Sequence, residues 1–257
     1  MKFSVCTDAV LNKLPTVEAL QKVRECGLDA VEFWSWWDKN LPMIAAEAQR
    51  LRIEIVAFCT RFVSLTDPAQ RDAYLAGLRE SIEAARTCGT RILISQTGAD
   101  TGAPRDLQRA SLVAGLRAAV PLLDAADVTL AIEPLNVHYD HKGYFLSRSD
   151  EAFDIVAEVA SPHVKVLYDI YHQQITEGDL INTLTANLPA LAHVHVAGHP
   201  GRHELDDGEI NAPHIFAALD RAGYEGYIGL EYFPLREPSE GLRAIASNTF
   251  LSPAGHG

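Results

Sequence analysis

Short apolar runs recur along the chain, each separated from the next by a longer stretch whose apolar positions repeat at helical spacing. The first run, 3–7 (FSVCT), is followed by a helix that Thr16 is expected to cap and that ends at Cys26-Gly27. The next run is 30–34 (AVEFW). The phrase returns in YLAGLRESIEAARTCGTRILIS, where Tyr74, Leu75, Leu78, Ile82 and Ala85 fall on one helical face before Cys88-Gly89 stops the helix and a β-branched run begins. Further strands are predicted near 53–58, 91–95, 129–133, 165–169, 193–197 and 227–231. Strands apolar on both faces and alternating with helices belong to a parallel sheet covered by helices. Eight of them predict an α/β fold, a single (β/α)8 TIM-barrel domain over 1–257, with about 252–257 (SPAGHG) as a loose tail. The competing architecture, a doubly wound open sheet, would normally show a phosphate-binding glycine fingerprint after an early strand, and no such fingerprint occurs.

Composition narrows the function classes. With 257 residues, 47% of them hydrophobic, the chain is ample for a substantial core without covalent staples. Its four cysteines, Cys6, Cys26, Cys59 and Cys88, form no C-x-x-C pair and are expected as free thiols in a reducing cytosol. The amino terminus lacks an apolar run fit for a signal peptide, and no segment approaches a membrane span, so a cytoplasmic protein with no membrane partner is expected. The net charge of -12, with 22 basic residues scattered along the chain, is the opposite of a nucleic-acid footprint.

The late strands end on chemistry. LAIEPLN ends its strand on Glu133, VKVLYDIYH on Asp169 and IGLEYFP on Glu231, while HVHVAGH carries His195. In a barrel these ends open into one mouth, where three carboxylates and an imidazole would repel one another without a cation, so a divalent metal is predicted. An oxygen-rich set with one nitrogen suits Mn2+ or Mg2+, with Co2+ acceptable. Any one strand-final carboxylate could merely cap the next helix. Four in succession are harder to account for that way. Strand alternation puts both His193 and His195 on the inner face, with His195 nearer the strand end and His193 one layer deeper.

These segments, IEPLN, KGYFL, YDIYHQQITEGDL, GEIN at 208–211 and LEYFP, together resemble the hydroxypyruvate isomerase family, within the xylose isomerase-like barrel superfamily that includes the ketose 3-epimerases. The resemblance covers nearly the whole chain. It implies a homodimeric or homotetrameric enzyme whose metal ligands are Glu133, Asp169, His195 and Glu231, with Glu133 and Glu231 also the acid/base pair. His172 matches a histidine that contacts substrate oxygen in related epimerases, and Arg202 resembles the family's substrate-binding arginine. Two departures stand out. Some hydroxypyruvate isomerases carry Gln where His195 stands, and Tyr139 occupies the place where many epimerases have a second glutamate.

A metal that chelates a carbonyl oxygen and its neighbouring hydroxyl acidifies the C–H between them, and a glutamate can then move the proton with no redox cofactor. Isomerisation of hydroxypyruvate to tartronate semialdehyde is the expected reaction; a ketose 3-epimerase of tagatose or psicose type, or a 2-oxo-tetronate isomerase, is the alternative. Three carboxylates around one divalent ion leave the inner shell negative, so an acidic substrate needs cations, for which Arg61, Lys142, Arg148 and Arg202 are candidates. Arg61, directly after a strand, is expected to reach into the mouth. Trp34, Trp36 and Trp37 are expected either to wall the pocket or to pack a loop, Glu32 to serve as a pocket-edge hydrogen-bonding group, and Glu177 to be a solvated loop charge. An abasic-site endonuclease of the same barrel type would bring more metal-binding histidines and a basic DNA face, which the charge balance contradicts.

Overall fold

Each of the eight apolar runs is a strand in the computed structural model, which describes residues 1–247. The expected loose tail at about 252–257 lies outside the described residues. The strands are β1 (Lys2–Cys6), β2 (Ala30–Phe33), β3 (Glu54–Cys59), β4 (Ile92–Ser95), β5 (Thr129–Ile132), β6 (Val164–Asp169), β7 (Leu191–Val196) and β8 (Tyr227–Leu230). Each pairs in parallel with its sequence neighbours, and β8 returns to β1 with Val5 opposite Leu230, so the sheet closes. This is the (β/α)8 barrel, and closure excludes the open sheet.

Helices α1 (Thr7–Val10), α2 (Thr16–Glu25), α3 (Leu41–Leu51), α4 (Arg71–Cys88), α5 (Arg105–Ala126), α6 (Ser149–Val159), α7 (Ile170–Thr176), α8 (Leu180–Ala186), α9 (Ala212–Arg221) and α10 (Pro238–Ala246) fill the connections. Thr16 is the first helical residue of α2 and not its cap. Pro15 holds the capping position in an extended conformation, and its side chain has no polar atom with which to cap the helix. The stop after α4 is as expected: Gly89 takes φ +71, a left-handed conformation that costs other residues energy.

The large core lies between strands and helices, with Phe33, Phe58, Leu93, Leu130 and Val166 buried on the outer face of the sheet. Inside the barrel the two halves differ. Ala30, Val56, Ala57, Cys59, Ile94, Ala131 and Leu167 form a small apolar cluster on β2 to β6. Ser4, Glu32, His193 and His195, from β1, β2 and β7, are buried polar residues. All four cysteines are free thiols, and no helix among the described residues is long and apolar enough to cross a membrane.

Leu93 is fully buried between sheet and helices. Leu93→Ala is expected to lower unfolding free energy by about 2–5 kcal/mol, through lost burial and the cavity left behind, as measured by urea denaturation.

Candidate metal centre and substrate pocket

Strand register alone gathers the four strand-end residues. Asp169 is the last residue of β6 and pairs with His195 of β7, which pairs in turn with Gly229 of β8. Glu133 and Glu231 directly follow β5 and β8. One ligand atom from each of Glu133, Asp169, His195 and Glu231 lies within 4.8 Å of all the others, and all four residues are buried. His195 Nδ1 stands 3.3 Å from Glu231 Oε2 and 3.7 Å from Glu133 Oε1. It makes no hydrogen bond. A buried ring nitrogen without a partner, facing three carboxylates, is a donor set that fits a divalent cation.

The electrostatics show the strain of assembling these groups. Burial, with Glu231 and Asp169 adding to it, lifts the Glu133 carboxyl above its ordinary range despite the nearby His195. Burial likewise lifts Asp169, although Arg202 opposes it. For Glu231 the same burial is overcome by Arg202 and His195, which hold it well below the usual carboxylate range. Burial disfavours a charged His195, but Glu32 and Glu231 outweigh it and push the imidazole well above its ordinary value.

Glu32 is not at the pocket edge. Val31 and Phe33 face the outer core, so alternation turns Glu32 into the barrel, where it is 2% exposed. There Ser4 Oγ donates to its Oε2 at 2.9 Å, and His193 Nε2 lies 2.7 Å from the same oxygen. The other oxygen, Oε1, is 2.9 Å from His195 Nε2. His193 therefore sits one layer below His195, as its place in the strand predicts. Gly229 makes the room: a Cβ there would come within 2.5 Å of Glu32 Oε1 and 2.6 Å of His195 Cδ2.

Above the cluster, Trp34 Nε1 donates to Glu231 Oε1 at 2.5 Å, and its ring meets Phe233 edge to face. Arg202 donates to Glu231 Oε2 and lies 3.7 Å from Asp169 Oδ2, with its guanidinium over the Tyr171 ring. His172 is fully buried, its Nε2 3.5 Å from Asp169 Oδ2. Asn136, which sequence reasoning missed, decides its tautomer. The amide oxygen of Asn136 accepts from the backbone N–H of Tyr139 at 3.0 Å, so its Nδ2 donates to Asp140 and to His172 Nδ1, each at 2.7 Å. The proton must then be on His172 Nε2, which has no hydrogen-bond partner. Burial and Arg202 hold this imidazole neutral. The sequence signal for Asn136 is its place three residues beyond Glu133, as the last residue of the IEPLN segment.

Other expected residues are elsewhere. Arg61 pairs with Glu80 at 3.0 Å and lies over the Trp36 and Trp37 rings, because α4 presents Gly77 at that point and the arginine stem packs into the space. Trp36 donates to Ser81 of α4, and Trp37 packs on Phe62, so neither indole contacts the cluster. Arg148 pairs with Asp150 and Glu177, and Lys142 is exposed. Glu177 is not solvated: it accepts from the Ser149 hydroxyl and backbone N–H at the start of α6. Tyr139 is exposed beside the His199 ring.

Residues 20–248 match the family described as the xylose isomerase-like TIM barrel. The chain belongs to that family. It is similar to hydroxypyruvate isomerase of Escherichia coli (strain K12), 29% identical over 255 residues that cover 95% of this chain and 97% of that protein. A 2-oxo-tetronate isomerase of Cupriavidus necator is 42% identical over 134 residues, 52% of this chain and 51% of that one. Among solved structures, an AP endonuclease, family 2, from Brucella melitensis superposes with a TM-score of 0.92, at 28% identity over 96% of this chain and 98% of that one. As a member of the xylose isomerase-like family with isomerases as relatives, the chain is an enzyme.

Protons compete with a cation for this xylose isomerase-like site. Because Glu133, Asp169 and His195 all hold protons to higher pH than usual, and ligation needs them deprotonated, metal affinity should rise with pH. Calorimetric titration with Mn2+ in buffers of different ionisation enthalpy should show proton release at neutral pH. Gly229→Ala should weaken Mn2+ binding and cost about 1–3 kcal/mol of stability, since the new methyl collides with Glu32 and His195; an unchanged melting temperature and Mn2+ affinity would contradict the packing described.

Proposed function

We propose that the chain is a divalent-metal-dependent isomerase that interconverts hydroxypyruvate and tartronate semialdehyde. The convergence of Glu133, Asp169, His195 and Glu231 in one buried cluster carries this reading, and similarity over nearly the whole length to a hydroxypyruvate isomerase supports the substrate. Those four residues would hold the metal, Mn2+ or Mg2+ with Co2+ acceptable, because oxygen donors with one imidazole match those ions. When bound, the cation supplies Lewis-acid polarisation of the substrate carbonyl.

The chain's own residues do the rest. One of the pair Glu133 and Glu231 takes a proton from C3 of hydroxypyruvate, the substrate passes through an enediolate, and the proton returns to C2. The hydroxyl proton moves from the C3 oxygen to the C2 oxygen, so atoms and charge balance without an oxidant. His172 donates a hydrogen bond from its Nε2–H to a substrate oxygen and keeps the proton, a role its unpartnered nitrogen supports. Arg202 takes the substrate carboxylate. It is buried against Glu231 and Asp169, whereas Arg61 is paired with Glu80 and Arg148 with Asp150. Trp34 shields Glu231 from water on one side.

Two other readings are separable. A four-carbon 2-oxo acid would meet the same groups, and the 42% identity to a 2-oxo-tetronate isomerase favours keeping it in view. Abasic-site cleavage, suggested by the name of the Brucella protein, fits poorly with a net charge of -12 and a mouth cluster containing one histidine.

Proton NMR in heavy water, with metal-stripped and Mn2+-restored protein, tests the proposal on hydroxypyruvate beside a 2-oxo-tetronate, fructose and tagatose. Metal-dependent deuterium incorporation and conversion are expected with hydroxypyruvate; turnover of a free ketohexose with none of hydroxypyruvate would move the assignment to a ketose 3-epimerase. Glu133→Gln and Glu231→Gln should each lower kcat by about 10²-fold or more, the range for loss of a proton-transfer group. Retained activity in both would remove the acid/base assignment.

A further inference from the structure

The polar half of the barrel interior is too elaborate to be packing alone. Four buried polar side chains, Ser4, Glu32, His193 and His195, stand where the opposite half carries Ala57, Ile94 and Ala131. A buried carboxylate is costly unless its lone pairs are met, and Glu32 meets them in a divided way. Oε2 takes Ser4 Oγ and His193 Nε2, which fix the carboxylate from below. Oε1 is left for one neighbour, His195 Nε2 at 2.9 Å, an ion-pair contact that is not aligned as a hydrogen bond, and neither atom has a hydrogen-bond partner. The opposite ring nitrogen of His195, Nδ1, faces Glu231 and Glu133.

We propose that Glu32 is a positioning residue for the metal centre: its Oε1 keeps the proton of His195 on Nε2, turns the ring, and presents Nδ1 as the coordinating lone pair. This rests on the reading of His195 as a metal ligand. A neutral imidazole has one protonated nitrogen and one lone pair, so a carboxylate at one nitrogen decides which atom can coordinate. Ser4 and His193 keep Glu32 from swinging away, and Gly229 provides the space in which carboxylate and ring meet, since no Cβ fits between them. In this arrangement Glu32 acts through His195, and Ser4 and His193 take its other oxygen.

The test is the Mn2+ dissociation constant, measured by electron paramagnetic resonance of free Mn2+, for the wild-type protein, Glu32→Gln and Ser4→Ala. Imidazole 15N–1H spectra of the protein loaded with diamagnetic Zn2+ accompany it. Glu32→Gln is isosteric and removes the charge. It should raise the dissociation constant of the folded protein about 10–100-fold, the usual effect of losing a carboxylate behind a metal-bound histidine, with folding of the metal-free variant checked by its melting temperature. Ser4→Ala, which loosens Glu32 without touching His195, should raise it less, and it keeps the test available if Glu32→Gln does not fold. The spectra should show a His195 Nε2 proton protected from exchange in the wild-type protein. Unchanged Mn2+ affinity in Glu32→Gln, or a His195 proton on Nδ1 with metal bound, overturns the role of Glu32 alone. Failure of the wild-type protein to bind Mn2+ overturns the metal reading, and this inference with it.

Discussion

Three carboxylates converge in a buried space at the top of this barrel, and their mutual repulsion is the constraint that the surrounding structure answers. Glu133, Asp169 and Glu231 cannot all be ionised there without positive charge close by, since burial penalises each anion and its neighbours add to the penalty. Several groups converge on the problem. Arg202 reaches in from the loop after β7, Trp34 offers an N–H from the end of β2, and His195 stands among the acids with Glu32 behind it. The asymmetry that results, with Glu231 well supported and Glu133 left mostly to its burial, is what makes a cation the natural completion of the set.

The barrel is the reason this concentration of charge survives. Closure of the sheet leaves no edge strand to slip, and parallel register fixes Asp169 opposite His195 and His195 opposite Gly229. A residue that moves by one position along a strand changes face, so the cluster is tied to the same pairing that holds the core together. Stability and chemistry also divide the interior between them. Apolar side chains from β2 to β6 pack one side, and the buried polar residues Ser4, Glu32, His193 and His195 occupy the other.

This division explains what was legible in the chain and what was not. The strand ends were readable, because an apolar run that stops on Glu133, Asp169 or Glu231 announces both the strand and the side of the barrel on which it ends. Glu32 was recognisable as polar in a strand, but its depth was not: Val31 and Phe33 outward imply Glu32 inward, and only the neighbouring strands show that it lies under His195 and not at the rim. Arg61 failed for a different reason. Strand alternation stops governing direction once β3 ends at Cys59, and a glycine on α4, distant in sequence, decides where that arginine lies. Asn136 escaped notice because its value comes from a turn that fixes its amide, which no spacing rule encodes.

Substrate preference would belong to the connections between strands and not to the strands themselves. The cluster is set by strand register and cannot be altered without disturbing the barrel. His172 stands on the short helix after β6, Asn136 and Asp140 in the segment after β5, and Arg202 in the loop after β7 at φ +60, so the groups proposed to meet a substrate come from connections that can change while the strands stay fixed. Relatives named for a three-carbon and for a four-carbon oxo acid are then what such an arrangement leads one to expect. The chemistry at the adjacent carbons would be common to both. The length of acid accepted would depend on how far Arg202 and His172 stand from the strand-borne carboxylates.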